Sequence, residues 1–217
     1  MPLLSLDQLK AGHSTGFFIT GTDTDIGKTY VSANLIRVLQ KQGLKVSPRK
    51  PIASGCIAQA DGSLLCEDAY QLQQAMDNPV PLNEICHYQF QPALSPQTVL
   101  DQSGQTVTTQ NLIDACRVPT GNFQLVEGAG GFLSPLCSNG LNRDLAVQLK
   151  LPVILVVGNR LGCLNHALLS IEAITRAGLE LYAIVINDLS PEPTNYAADL
   201  GKWRKGPIYH MGYNALV

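Results

Sequence analysis

The sequence predicts an α/β fold in which a mostly parallel central sheet is covered by helices on both faces. Two observations predict it: the apolar segments with strand character are mostly continuous rather than alternating, and stretches with helical periodicity separate them. The chain has 217 residues, of which 45% are apolar and 15% charged, so it can bury one substantial core. We therefore expect residues 1–217 to form a single three-layer domain.

The predicted elements follow each other in a strand-helix alternation. An apolar, β-branched and aromatic run predicts a strand at 16–20. A helix is predicted at 28–42, where apolar residues recur every three or four positions until Gly43 ends the pattern. A second helix is predicted at 165–177, before Gly178. Further buried strands are predicted at 44–46, 124–126, 153–157 and 183–186.

One stretch does not follow this alternation. Residues 77–103 contain four prolines and no clear period. Proline interrupts both helices and strands, because it lacks the backbone N–H that they need. We therefore expect an irregular excursion here, with at most a short helix at 96–100.

A glycine-containing loop, Gly21-Thr22-Asp23-Thr24-Asp25-Ile26-Gly27-Lys28-Thr29, joins the first predicted strand to the first predicted helix. Backbone N–H groups at a helix N-terminus point at anionic oxygens, and the helix dipole favours the same charge. Lys28 would reach the β- and γ-phosphates of a nucleotide, and the Thr29 hydroxyl would bind Mg²⁺. Five residues rather than four separate the two glycines, but the strand-loop-helix context still predicts phosphate binding and a P-loop NTPase-type fold.

One acidic residue, Glu127, is a candidate Mg²⁺ ligand beside Thr29. Glu127 follows the predicted strand 124–126, and a charge is better placed at the carboxyl edge of a sheet than inside it. Mg²⁺ prefers carboxylate, hydroxyl, phosphate and water oxygens. Asp68, judged alone, is interpreted as an acid in the first turn of a helix.

Composition excludes several classes of protein. The net charge is −2 and no run of like charge occurs, so we expect no non-specific nucleic-acid binding. The six cysteines form no C-x-x-C pair and the four histidines are scattered, which predicts reduced, mostly buried thiols and no histidine metal ligand. The longest apolar run, 151–157, contains a proline and is too short for a membrane helix. We therefore expect a cytoplasmic protein.

Four segments together closely resemble the dethiobiotin synthetase family of biotin biosynthesis. They are the loop 21–29, the Lys-Pro-Ile-Ala-Ser-Gly of 50–55, the Val-Glu-Gly-Ala-Gly-Gly of 126–131 and the Gly-Cys-Leu-Asn-His-Ala of 162–167. The resemblance implies a homodimeric P-loop enzyme that uses ATP and Mg²⁺. It would carboxylate 7,8-diaminopelargonate with CO₂ and close the ring to dethiobiotin, with release of ADP and phosphate, through a carbamate and a carbamic-phosphoric anhydride.

The resemblance also implies a role for each site residue. Lys50 and Lys28 would be catalytic. ATP would be bound by Asp25, Ile26, Gly27, Lys28, Thr29, Tyr30, Asp68, Glu127, Gly128, Ala129, Gly130, Asn187 and Asp188. The metal ligands would be Thr29, Asp68 and Glu127. Substrate would be bound by Ser54 and, across the dimer interface, by Gly162, Cys163, Leu164 and Asn165.

Other interpretations stay open at this point. Asn165 could be an ordinary helix N-cap, and Asn187-Asp188 an ordinary turn. A switch ATPase of the ParA or MinD type is a rival from another class, but it carries a second loop lysine where this chain has Asp23. The ATPase half of a cobyrinate-type amidotransferase is a third alternative, although 217 residues leave no room for a glutaminase domain.

Overall fold

A computed structural model of the chain describes residues 4–194 and 196–215. A short 3-10 helix lies at Leu6–Gln8. The strands are β1 (Leu4–Ser5), β2 (Gly16–Gly21), β3 (Val46–Arg49), β4 (Ile52–Ala53), β5 (Ile57–Ala58), β6 (Leu64–Leu65), β7 (Tyr88–Gln89), β8 (Phe123–Gly131), β9 (Pro135–Cys137), β10 (Gly140–Leu141), β11 (Val153–Asn159), β12 (Leu181–Asp188) and β13 (Ile208–Met211). The helices are α1 (Lys28–Gln40), α2 (Glu67–Gln74), α3 (Leu82–Ile85), α4 (Pro96–Ser103), α5 (Thr109–Ala115), α6 (Asn142–Leu149), α7 (Cys163–Arg176) and α8 (Tyr196–Trp203).

Within the described residues, seven strands form one parallel sheet in the order β1-β13-β12-β11-β2-β8-β3. Strand β2 lies inside the sheet, between β11 and β8. Because all pairs are parallel, the carboxyl ends of the strands lie at one edge, and the loops that follow them meet there. The predicted α/β fold is confirmed.

Helices cover both faces of the sheet. On one face α1, α2 and α3 bury residues such as Leu35 and Leu72 against β2 and β8. On the other face α4 to α8 bury residues such as Leu145 and Ile174 against β11 and β12. These two cores explain why the strands are continuously apolar, since both faces of the sheet are buried. None of the helices described is long and apolar enough to span a bilayer.

Several predicted boundaries are wrong by a few residues. Helix α1 ends at Gln40 rather than at 42, because Gly43, with φ +82°, turns the chain and the Leu44 N–H donates to the Leu39 carbonyl at 3.3 Å. The strand predicted at 44–46 is β3, Val46–Arg49. It contains Pro48, which an edge strand tolerates because one side of it needs no N–H donors.

The segment 77–103 is more regular than predicted. It contains the short helix α3, the strand β7 and the two-turn helix α4, which extends to Ser103. Ser95 caps α4 by accepting a hydrogen bond from the Thr98 N–H at 3.3 Å, and Gly104 ends it in the left-handed conformation. The Ser-Pro pair that signals this helix start is visible in the sequence, and the prediction underestimated how far the helix runs.

Candidate active site

The loop between β2 and α1 has the backbone geometry of an anion site. Gly27 has φ +83° and is the N-cap of α1, and a Cβ there would lie 2.3 Å from Nδ2 of Asn187. Asn187 itself donates to the Ile26 carbonyl at 3.0 Å. Asp25 has φ +55°, a conformation that Asp tolerates better than most side chains. Position 27 therefore requires glycine, and the loop rests directly on the end of β12.

Lys28 is folded back over this loop. Its Nζ donates a hydrogen bond to the Asp23 carbonyl at 2.7 Å, and the residue is only 7% exposed. Burial, together with the nearby charge of Lys50, lowers the pKa of Lys28 to about 8. Among the described residues, the ammonium group is bonded to a carbonyl and not to a carboxylate. Its charge can therefore pair with an anionic ligand in the loop.

Four side chains from four separate segments form the centre of the site, which we call the Lys50 cluster: Thr29, Lys50, Asp68 and Glu127. Lys50 Nζ lies 2.8 Å from Oε1 of Glu127 and 2.8 Å from Oδ2 of Asp68. Burial acts to lower the pKa of Lys50, but the two carboxylates outweigh it and the pKa is raised. The pKa of Asp68 is lowered: burial acts to raise it, and Lys50 overcomes that effect. The structure thus brings together residues that lie up to 98 positions apart.

Glu127 does not end a strand as predicted. It lies inside β8, which runs to Gly131, and it is 1% exposed. The pairing between β8 and β3 stops at Val126, one residue earlier, so the carboxylate reaches the space above the end of β3. A charge buried this deeply is tolerated because Lys50 compensates it.

Oxygen atoms of the Lys50 cluster fit a hard cation. The single hydroxyl proton of Thr29 is shared between two acceptors, because its Oγ1 lies 2.8 Å from Oδ1 of Asp68 and 2.8 Å from Oε1 of Glu127. The other oxygen of Glu127, Oε2, is buried and has no hydrogen-bond partner among the described residues. The cluster thus has more oxygen acceptors than hydrogen-bond donors to satisfy them. Carboxylate and hydroxyl oxygens are ligands that Mg²⁺ prefers.

Asn142 shapes the backbone after Glu127, although no sequence motif marks it as a site residue. Its Oδ1 accepts the Ala129 N–H at 3.0 Å, and its Nδ2 donates to the carbonyls of Ala129 at 2.6 Å and Gly131 at 3.0 Å. A Cβ at Gly128 would lie 2.3 Å from Oδ1 of Asn142. The glycines of 128–131 therefore allow a fully buried amide to hold the end of β8.

We expect Asn142→Ala to lower the free energy of unfolding by about 2–4 kcal/mol, because it leaves buried backbone groups at the end of β8 unpaired. Urea denaturation followed by circular dichroism measures this change. Asn83→Ala, at an exposed position of α3, is the matched control and should stay within about 0.5 kcal/mol of the wild type. Equal stability of Asn142→Ala and the control would remove this role from Asn142.

Polar side chains at the ends of β11, β12 and β13 form a second group beside the loop. Asp188 accepts hydrogen bonds from Asn159 Nδ2 at 2.6 Å and is bonded to His210 Nε2 at 2.8 Å. Oδ1 of Asn187 is buried and unpartnered among the described residues. The Tyr30 hydroxyl donates to the Ala215 carbonyl, which brings the 212–215 segment close to α1. An unpaired acceptor near the phosphate loop suits the amino group of a base.

None of the residues predicted to bind substrate is hydrogen-bonded to the Lys50 cluster in the described part of the chain. The Ser54 hydroxyl donates to the Leu94 carbonyl at 2.6 Å. The N-cap of α7 is Gly162, with φ +90°. Asn165 is the third residue of the helix, so the alternative in which Asn165 caps it is wrong.

An ion pair joins the turn before α7 to the phosphate loop. Arg160, two residues before Gly162, lies 2.6 Å from Oδ2 of Asp23, and both side chains are about half exposed. Asp23 occupies the position at which a switch ATPase would carry its second lysine. The pair involves residues 137 positions apart, so no local pattern could have identified it.

Comparison with known proteins identifies the family. A family model described as an AAA domain matches residues 15–208. The ATP-dependent dethiobiotin synthetase BioD of Ruthia magnifica is 40% identical over 81% of this chain and 81% of its own length. The chain belongs to the dethiobiotin synthetase family. Similar proteins of the same name include those of Pseudomonas paraeruginosa, 42% identical over 85% of this chain and 82% of theirs, and of Vesicomyosocius okutanii, 36% identical over 93% and 91%.

The region that matches the family includes the phosphate loop and the Lys50 cluster. The 15–208 match spans β2 to β12 and contains the whole phosphate loop and every residue of the Lys50 cluster. The matched proteins are named as ATP-dependent, and a loop at a helix N-terminus, such as the one that joins β2 to α1, is a common phosphate-binding site. The switch ATPase and the amidotransferase are therefore excluded as the family of this chain.

Proposed function

We propose that the chain is an ATP- and Mg²⁺-dependent ligase that converts 7,8-diaminopelargonate and CO₂ into dethiobiotin, ADP and phosphate. The observation that carries the proposal is the position of Lys50, a buried cation bonded to two carboxylates beside a phosphate loop. A plain nucleotide hydrolase needs the loop and the acids, but it does not need a second lysine in this position. The family membership of the chain supports the same conclusion.

The chemistry requires several anionic oxygens in one place. One amine of the substrate adds to CO₂ and loses a proton, which leaves a carbamate. A carbamate oxygen then attacks the γ-phosphorus, ADP leaves, and a carbamic-phosphoric anhydride forms. The second amine attacks the carbonyl carbon, loses its proton, and phosphate leaves as the cyclic urea closes. Charge therefore moves from the carbamate to the bridging phosphate oxygens, and preorganised cations stabilise it.

Two lysines are placed for these steps. Lys28 lies over the phosphate loop, with its ammonium held only by a carbonyl, and it binds the β- and γ-phosphates. Lys50, which is paired with Asp68 and Glu127 beside the loop, would contact the carbamate and the γ-phosphate. The N–H groups of 25–30 surround the phosphates, while Ser54 binds the substrate close to its reacting amines.

Mg²⁺ would be held by Thr29, Asp68 and Glu127, and when bound it supplies positive charge that neutralises the phosphate oxygens. The orphaned Oε2 of Glu127 and the shared proton of Thr29 support this assignment. Oδ1 of Asn187, which has no hydrogen-bond partner among the described residues, would accept a hydrogen bond from the amino group of adenine. The neighbouring Asp188 would form part of the same site.

Glu127→Gln should raise the Mg²⁺ concentration that half-maximal activity requires by about tenfold or more, because the amide keeps the shape of the side chain and removes its charge. Turnover is measured at constant ATP while Mg²⁺ is varied. Glu67→Gln, which removes an exposed charge beside Asp68, is the control and should leave the titration unchanged. An unaltered Mg²⁺ titration for Glu127→Gln would place the metal on other ligands.

The segment 162–165 lies beside an exposed apolar surface that suits contact with a second protomer. Apolar side chains lie exposed near it, Leu161 at 88% and Leu169 at 58%, whereas the segment has no described hydrogen bond to the Lys50 cluster of its own chain. A two-fold axis at this surface would bury the leucines and present the first turn of α7 to the partner's site. We therefore infer a homodimer in which Gly162, Cys163, Leu164 and Asn165 bind the carboxylate of diaminopelargonate for the partner subunit.

Mixed dimers test this arrangement. Lys50→Gln and Asn165→Asp, the second of which repels the substrate carboxylate, should each be inactive alone. When subunits of the two variants exchange at equal amounts, half of the dimers contain both variants and each such dimer has one intact site, so about a quarter of the wild-type activity should return. Asn165→Asp mixed with itself is the control. No recovery after proven subunit exchange would confine the site to one chain.

The proposed reaction is tested by its substrate dependence. Phosphate release from ATP should require both diaminopelargonate and bicarbonate, and omission of either should reduce it to background. Phosphate release that proceeds without them, or that responds only to a protein or DNA partner, would instead indicate a switch ATPase.

A further inference from the structure

Three of the six cysteines converge beside the Lys50 cluster, although they come from distant segments. Cys56, Cys66 and Cys86 are free and buried in the core that α2 shares with the sheet. Cys66 is the N-cap of α2, and its sulfur accepts a hydrogen bond from the Ala69 N–H at 3.4 Å. None of the three takes part in the proposed reaction, so their position next to the helix that carries Asp68 needs another explanation.

Cys56 and Cys66 flank a small β-hairpin. The strands β5 and β6 are antiparallel and their register pairs Ile57 with Leu65. Continuing that register outward by one residue sets Cys56 directly opposite Cys66. The two thiols therefore lie at the open end of the hairpin, on facing strands.

The hydrogen bonds of the hairpin define the kind of pair that the two cysteines form. The Gln59 N–H donates to the Ser63 carbonyl at 2.9 Å. Because hydrogen-bonded and non-hydrogen-bonded pairs alternate along antiparallel strands, the 56–66 pair is non-hydrogen-bonded. The N–H of Cys56 accordingly donates elsewhere, to the Phe90 carbonyl at 2.9 Å. Cα atoms of such a pair are about 4.5 Å apart, within the range of roughly 4.4–6.8 Å that a disulfide spans.

We propose that Cys56 and Cys66 form a reversible oxidation site, at which a peroxide converts the two thiols into a disulfide across the open end of the hairpin. One thiol sulfur attacks the peroxide, the O–O bond breaks, and a sulfenic acid and one water or alcohol form. The second thiol attacks the sulfenic sulfur, the S–S bond forms, and its proton leaves with the hydroxyl as water. The two thiols lose two electrons, and the peroxide gains them.

The hairpin gives a small oxidant access to the pair. Its strands have two residues each, and Ile57 is 46% exposed. An element with so few buried contacts opens locally far more easily than the sheet does. Hydrogen peroxide is close to water in size, so a brief opening is sufficient.

Oxidation would also act on the metal site. In the disulfide, the sulfur of Cys66 is turned toward Cys56 and no longer caps the Ala69 N–H at the start of α2. Asp68, in that first turn, is bonded to Lys50 and to Thr29. We expect oxidised protein to bind Mg²⁺-ATP about five- to tenfold more weakly. This consequence rests on the proposed function, whereas formation of the disulfide does not.

Peptide mapping without reductant tests the covalent step. The intact protein is treated with hydrogen peroxide and digested, and we expect a peptide pair joined through Cys56 and Cys66 that dithiothreitol separates. It should be absent from Cys56→Ser and Cys66→Ser, and it should persist in Cys86→Ser and in the control Cys116→Ser, a buried thiol in the other core. No cross-link, or one that joins Cys66 to Cys86, would overturn the proposal.

Calorimetric titration with Mg²⁺-ATP tests the consequence. Oxidised wild type should bind more weakly and recover with dithiothreitol, while peroxide-treated Cys56→Ser should bind as the untreated protein does. A complete cross-link with unchanged affinity would contradict the regulatory effect. If reduced wild type binds Mg²⁺-ATP but does not convert diaminopelargonate, the proposed reaction fails, and the peptide map still decides the oxidation site.

Discussion

Lys28→Ala is expected to lower turnover on the order of 100-fold or more, which corresponds to about 3 kcal/mol of lost transition-state stabilisation. The ammonium lies over the phosphate loop, 2.7 Å from the Asp23 carbonyl, and no other lysine of the described chain is bonded to this loop. Charge that develops on the γ-phosphate and the leaving oxygen of ADP would then lack its nearest cation. Single-turnover formation of the cyclic urea at saturating ATP measures the loss.

The fold should survive this substitution. Lys28 forms no ion pair with a carboxylate in the described residues, and its pKa is already lowered by burial, so removing its charge leaves no buried anion uncompensated. Lys41→Ala, at an exposed position after α1, is the matched control and should retain wild-type turnover. A rate for Lys28→Ala close to that of the control would remove the phosphate-loop assignment.

Lys50→Gln should also lower turnover on the order of 100-fold or more, yet leave ATP affinity within a few-fold of the wild type, because the interaction is made mainly in the transition state. Equilibrium titration with ATP and single-turnover kinetics separate the two effects. A loss of ATP binding large enough to explain the whole defect would make Lys50 a nucleotide clamp instead. Turnover near the wild-type level would remove it from the mechanism.

The buried position of Lys50 adds an effect on stability. Its charge compensates Glu127 and Asp68, and removal of one partner from a buried ion pair costs roughly 3–5 kcal/mol. Added Mg²⁺ should restore much of this loss in Lys50→Gln, since the cation takes over the compensation. Thermal unfolding with and without Mg²⁺ measures the recovery, and it also establishes that the kinetic defect belongs to folded protein.

Lys50→Arg should rescue little of the turnover. A guanidinium keeps the charge, but it is planar and larger than an ammonium, and Lys50 Nζ is enclosed by Glu127, Asp68 and the Gly128 carbonyl at 2.8–3.2 Å. This variant separates the need for a positive charge from the need for a compact one. Full activity in Lys50→Arg would show that any cation in this position is sufficient.

The fold and the centre of the site follow largely from local patterns. The apolar run before Gly21 and the helical stripe after Lys28 predicted a strand-loop-helix unit, and the structure has one. The sequence pattern correctly predicted that Glu127 lies in the sheet, but the prediction that it ends a strand is wrong, because it lies inside β8. Glycines normally suggest a loop, whereas residues 128–131 continue β8 because Asn142 supplies the hydrogen bonds that hold them.

The remainder could not be predicted because it depends on contacts between distant segments. Asn142 begins a helix and carries no motif, and only its position beside Ala129 reveals its role. Arg160 and Asp23 lie 137 residues apart, and periodicity says nothing about such pairs. The same holds for Cys56 and Cys66, whose facing positions appear only once the hairpin register is known.

The stoichiometry of one reaction tests whether ATP cleavage is coupled to closure of the cyclic urea. Purified protein is supplied with ATP, Mg²⁺, diaminopelargonate and ¹³C-labelled bicarbonate, and phosphate and labelled cyclic urea are measured in the same sample. We expect equal amounts of the two products, with the label in the urea carbonyl, and formation of both on the order of 100-fold slower or more when Lys50 is replaced by Gln. Phosphate released without labelled urea in the wild-type protein would contradict this coupling.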